Sequence, residues 1–321
     1  MEELQKSGVW KSLRSDKNMS AQEEFDRTLV ESARPLVVLA HQDDELGCTG
    51  ILQRTGGKLS VAFMTNGDGL APSVGEDPQA YAALRTSEAV QSLRVAGVLQ
   101  ESIRFLGHSE IEIYRHMARL RGFPAGLAKV MEFFTPIQRS IAELVNDVQP
   151  DAVYTVAYQG GHPEHDLAHF FLALALRTFE RANKCKVPLY HFPEYELTIL
   201  IPMRFRPWYP GRKLWVELTQ GEMERKRQMV ECYPSQKKLV RKFELVVSGL
   251  TLPQRVLLRR DPMDRFFGRE QVSPVPRAFN YRRSPYRIDL LNYLFEDFEH
   301  TPITFRDCIR PLVIGFEDAC K

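Results

Sequence analysis

A chain of 321 residues with a net charge of +2 and ordinary apolar and charged fractions has the make-up of one sizeable globular domain, or of a domain with an appendage. That charge is too small to predict a nucleic-acid partner, and no run of about 18 apolar residues is present to span a membrane. The polar N-terminus lacks the apolar stretch of a signal peptide, and Cys48, Cys185, Cys232, Cys308 and Cys320 show no paired or metal-binding rhythm, so reduced thiols in a cytoplasmic protein are expected.

Residues 1–34 read as an N-terminal arm or helix. The continuous apolar run Pro35 to Ala40 predicts a parallel strand buried on both faces, and Leu59 to Met64 a second strand after a helix ended by Gly56-Gly57. Tyr81 to Val98 carries Leu84, Ala89, Val90, Leu93 and Ala96 at helical spacing. Ile103 to Leu106 is a third strand, Phe123 to Val148 an amphipathic helix, Ala152 to Ala157 a fourth strand and Leu167 to Arg181 a further helix. Beyond Leu189 the pattern weakens, with strands expected at Tyr190 to Ile201 and Lys213 to Leu218 and a helix at Gln220 to Tyr233. Residues 237–321 have no clear period and read as a C-terminal extension packed on the core. Alternation of strands and helices predicts an α/β fold with a Rossmann-like, mostly parallel sheet covered on both faces, and ligands gather at the carboxyl ends of such strands.

Two clusters lie at those ends. After the first strand comes His41-Gln42-Asp43-Asp44-Glu45, in which His41 and Asp44, three apart in a turn, can aim at one metal while Asp43 faces a bound water. After the fourth comes Tyr158-Gln159-Gly160-Gly161-His162-Pro163-Glu164-His165-Asp166, where Pro163 suits the first helical position, with His162 as cap and His165 in the first turn. If the two strands are neighbours, these histidines converge on His41 and Asp44, and two histidines with one carboxylate make a catalytic metal site open to water. His165 and His169, four apart, could pair instead. His169 is expected to be buried, and His108, His116, His191 and His300 to be structural. Cys48 reads as a small buried filler.

The two clusters together resemble the paired motifs of the LmbE-like, or PIG-L, family of N-deacetylases. Thr65-Asn66-Gly67-Asp68-Gly69, Arg85 with Glu88, Leu106-Gly107 and Tyr233-Pro234-Ser235-Gln236 extend the likeness over roughly residues 35–236, the expected deacetylase domain. The resemblance implies a metal held by His41, Asp44 and His165, with Asp43 as general base and His162 assisting at the carbonyl oxygen. It further implies that Glu164 tunes His162 and that Arg85 contacts substrate. Zinc is the first expectation and ferrous iron suits the same ligands. The implied substrate is a small N-acetylated molecule such as an amino sugar. Gln42 replaces the family's usual proline, which should loosen the turn, and Glu164 stands where aspartate is more common.

The rival readings are a two-metal phosphoesterase-type hydrolase, which needs more ligands, and a non-catalytic sugar-binding module, which should have lost a ligand or base. Nucleotide binding is set aside because the first turn is acidic and lacks a glycine-rich phosphate fingerprint. A homo-oligomer stays open.

Overall fold

Val37 and Leu39 point to one face of their strand and Leu36 and Val38 to the other, and each pair joins a different apolar cluster. This strand is therefore covered twice, as its unbroken apolar run requires. The computed structural model describes residues 19–122, 126–196, 201–237, 241, 267–294 and 296–320. In it β1 (Pro35–Leu39), β2 (Ser60–Thr65), β3 (Ile103–His108), β4 (Ala152–Val156) and β5 (Leu189–Phe192) run parallel. Every residue of β1 and β4 is buried, while β3, at the edge, is buried only at Ile103. β6 (Tyr195–Glu196) and β7 (Ile201–Pro202) form a separate short ladder, and β8 (Leu214–Glu217) and β9 (Arg269–Pro274) join the main sheet antiparallel.

The order is β3-β2-β1-β4-β5-β9-β8. Chain progression reverses between β1 and β4, which pair directly with Val38 opposite Thr155. That reversal opens a crevice beyond their carboxyl ends. Both clusters seen in the sequence emerge there.

One face is covered by α1 (Ala21–Glu31), α2 (Thr49–Thr55), the short α3 (Ala71–Val74) with α4 (Pro78–Val95), and, later in the chain, the helix Gln220–Glu231; the other by α5 (Glu110–Gly122), α6 (Leu127–Val148), α7 (Pro163–Asn183) and the C-terminal helix. Here α8 is Gln220–Glu231 and α9 is Arg310–Ala319. The first face buries Phe25, Leu52, Leu93 and Met229, and the second Met117, Phe134, Phe171 and Val313. Among the described residues no helix is long and apolar enough to cross a membrane.

The expected mixed α/β architecture is therefore present, with three local differences. α5 fills a stretch to which no element was assigned. Its buried Ile113, Met117 and Leu120 recur at helical spacing, but charged residues on every other side mask them. The helix expected from Tyr81 runs Pro78–Val95, with Asp77 capping it through Ala80 N at 2.9 Å and Gly97 turning the chain at φ 85°. The segment beyond 237, read as an extension packed on the core, also supplies β9 to the main sheet, between β5 and β8. Two short strands, β10 (Asp297–Phe298) and β11 (Thr301–Pro302), precede α9.

Candidate metal centre

The turn after β1 is closed by its own carboxylate. Asp44 Oδ2 accepts from Ala40 N at 3.0 Å and His41 N at 2.8 Å, which aims the remaining Oδ1 outward. Gln42, expected to loosen this turn, instead ties it to β2, its Nε2 donating to Thr65 O at 3.0 Å from a fully buried position. Asp43 holds the turn's strained point at φ 111°.

After β4, Gly160 adopts φ 73°, and His162 caps α7 so that His165 lies in its first turn, as expected from Pro163. The two loops converge. His41 Nδ1 lies 3.0 Å from His165 Nε2 and 3.6 Å from Asp44 Oδ2, and His165 Nε2 lies 3.0 Å from Asp44 Oδ1. Three donors bonded to one tetrahedral ion at 2.0–2.2 Å are separated by about 3.4 Å, so these spacings and this mixture of imidazole and carboxylate fit a zinc-sized cation. Burial alone would raise the Asp44 carboxyl, but His165 and His41 beside it hold it well below the usual carboxylate range.

Glu164 was expected to tune His162. The structure places it elsewhere, with Oε2 2.7 Å from His41 Nε2 and Oε1 buried without a partner among the described residues. Burial raises the Glu164 carboxyl to about 8 against the opposing His41 contact. Burial would lower the His41 imidazole, yet Glu110, Asp44 and Glu164 together raise it well above its ordinary value. His162 stands edge-on to His41, ring centres 4.6 Å apart, and its Nε2 meets the Tyr114 hydroxyl at 3.2 Å. Burial first, then His41 and His165, hold His162 well below the usual imidazole range.

Asp43 Oδ2 pairs with Arg85 Nη2 at 3.1 Å, and its backbone N–H donates to Glu45 Oε2 at 2.9 Å. Burial raises the Asp43 carboxyl to about 7, with Arg85 opposing and Asp44 and Glu45 adding to the rise. Arg85, expected as a substrate contact, is only 4 % exposed and is taken up by Asp43, the Gln42 carbonyl, Glu88 and Ser235. It braces the loop. Ser235 N in turn donates to Glu88 Oε1 at 2.9 Å, and the Tyr233 hydroxyl donates to Glu45, so the distant Tyr233 to Gln236 fragment buttresses the first cluster.

Several neighbours escaped the sequence reading. Glu110, after β3, accepts from Thr65 Oγ1 at 2.7 Å and Gly69 N at 3.0 Å; among the described residues His41, Glu110 and Glu164 form one group whose donor atoms lie within 4.8 Å of one another, and His41, His162 and His165 form another. Tyr195, after β5, stacks on His165 at 5.4 Å. Both follow the carboxyl end of a parallel strand, the signal that located the two clusters. His169 is buried as expected, bonded to Val156 O at 2.8 Å and the Tyr281 hydroxyl at 3.1 Å. Cys48 is likewise a buried thiol.

The histidine and aspartate clusters thus stand beyond two adjacent central strands of a mostly parallel sheet, where ligands bind in folds of this class. Residues 36–176 match the family model PIG-L: GlcNAc-PI de-N-acetylase, the family whose paired motifs the two clusters resemble. No curated protein matches it. Among solved structures it is similar to the A40926 pseudoaglycone deacetylase Dbv21, with 20% identity, TM-score 0.51, and 77% of this chain and 99% of that one covered. A deacetylase of teicoplanin biosynthesis gives 18%, 0.53, 77% and 99%. The N,N'-diacetylchitobiose deacetylase of Pyrococcus horikoshii gives 16%, 0.52, 85% and 98%. At such identities the likeness establishes the fold.

Proposed function

We propose that this protein is a zinc-dependent hydrolase that removes an acetyl group from the nitrogen of an N-acetylated amino sugar, sugar conjugate or similar small polar molecule. The observation that carries the reading is the convergence of His41 Nδ1, Asp44 and His165 Nε2 at 3.0–3.6 Å beside a carboxylate, Asp43, raised to about 7. His41, Asp44 and His165 would hold the cation, Zn2+ by first choice and Fe2+ by the same ligand chemistry. Such a cation, when bound, polarises an amide carbonyl and makes water acidic enough to react near neutrality. Asp43 takes the proton from the attacking water, a task for a base whose pKa lies near the working pH. Arg85 keeps that carboxylate in place. His162, neutral in its buried position, stands beside the same centre to assist as the amide opens, and the leaving nitrogen collects the proton that Asp43 has gained. Acetate and a free amine result. The family match and the deacetylases of similar fold favour a sugar-linked acetamide, and the scatter of cysteines suits a cytoplasmic setting.

The test is incubation of the zinc-loaded chain with a panel of N-acetylated sugars and sugar conjugates, reading amine and acetate. Equal amounts of both from at least one member, lost with chelator and restored by zinc, are expected. No release from any member would reject the reading.

A further inference from the structure

Glu164 is turned to His41, and a different carboxylate reaches His162 through a tyrosine. Tyr114, on α5, brings its hydroxyl to 3.2 Å from His162 Nε2, and that hydroxyl donates to Glu296 Oε2 at 2.6 Å. Glu296 belongs to the C-terminal segment, 182 residues from Tyr114 and outside the matched family region. Resting on the deacetylase reading, we infer that Tyr114 and Glu296 are positioning residues that fix His162 in its Nε2–H tautomer.

A phenol has one proton and can also accept. With that proton committed to the Glu296 carboxylate, the Tyr114 oxygen can only accept from His162, so Nε2 must carry the imidazole proton. Nδ1 is then the lone-pair nitrogen, and it is buried without a partner among the described residues. One ring nitrogen of His162 also lies within 4.8 Å of donor atoms of His41 and His165. The lone pair of His162 is thereby fixed at Nδ1 and its proton at Nε2, toward Tyr114.

The segment that carries Glu296 is itself fastened to the second cluster. Tyr293 N donates to Gly160 O at 2.7 Å, and the Tyr293 hydroxyl donates to Asp166 Oδ2 at 2.7 Å. Glu296 N reaches Tyr293 O at 2.9 Å, and Ile303 N reaches Glu296 O at 2.9 Å. The loop that carries Glu296 and the loop that bears His162 are thus tied together by hydrogen bonds.

The experiment uses the zinc-loaded full chain labelled with nitrogen-15 on histidine, with His162 assigned by the signals lost in His162→Gln. Long-range proton–nitrogen spectra should show His162 as the Nε2–H tautomer, and Tyr114→Phe should mix the two tautomers. In turnover assays Tyr114→Phe is expected to lower kcat about ten-fold or more with KM changed less than about two-fold. Glu296→Ala frees the phenolic proton to reach Nε2 and should lower kcat at least as far. Glu296→Gln, whose amide oxygen still accepts, should recover most of that loss. His162 found as Nδ1–H in the unaltered chain, or equal losses in Glu296→Ala and Glu296→Gln, would overturn the inference. The spectra need no substrate, so the expected tautomer in a chain that deacetylates nothing would reject the proposed function and uphold the positioning.

Discussion

The carboxylate of Glu164 and the imidazole of His41 meet with Oε2 2.7 Å from Nε2, while Nδ1 of the same ring turns to His165 and Asp44. A carboxylate behind a ligating histidine fixes the ring and makes it a stronger donor. Glu164→Gln should therefore weaken zinc binding about 10- to 100-fold in chelator competition, a range typical for the loss of such a partner. Unchanged affinity would remove Glu164 from the metal centre.

Asp43→Asn should keep the metal and lose turnover by about 100- to 10,000-fold, the usual contribution of a positioned proton acceptor. Asparagine tolerates the positive φ at this site better than alanine does. Elemental analysis showing that the variant binds no metal would contradict the role given to Asp43.

The Asp43 carboxyl is raised to about 7, so its proton-accepting form is depleted as pH falls through that value, and activity should fall with it along a single-proton limb. Arg85 opposes the rise, and a bound cation would act in the same direction, placing the limb at or below about 7. Arg85→Gln should move the limb to higher pH in the kcat/KM profile. A shift to lower pH would mean that Arg85 does not hold the Asp43 charge.

A methyl group added to Gly161 would collide with the Tyr195 carbonyl, and Tyr195 is the ring that stacks on His165. Gly161→Ala should cost about 1–3 kcal/mol of stability, as overpacking does, and weaken zinc binding too. Thermal unfolding with and without zinc tests both, and an unaltered Tm with unaltered metal-induced stabilisation would show that the loop yields freely.

One metal per chain is expected. The donor group of Glu110 and Glu164 shares His41 with the other donors, so one imidazole would have to serve both ions. Two tightly held ions per chain would favour the phosphoesterase-type reading.

The sheet and both clusters were legible because apolar β-forming runs mark β1 and β4, and each cluster directly follows one. The partner of Glu164 was not. It lies two residues beyond His162 at the start of a helix, and residues two apart on a helix do not face each other, so sequence nearness suggested a contact that helical geometry forbids. β9 was hidden for a different reason. Its Glu270 is buried but satisfied by Lys226 Nζ at 2.7 Å and by Thr49 and Gly50 N–H groups at 3.0 and 2.8 Å, so a core strand carries a charge. The Tyr114 to Glu296 contact spans 182 residues, and no local pattern announces it.

The most direct test of the central claim is a crystal structure of the zinc-soaked chain with anomalous data collected at the zinc edge. The account predicts one strong peak within bonding distance of His41 Nδ1, Asp44 and His165 Nε2. A peak held by other residues, with those three donors unengaged, would contradict it.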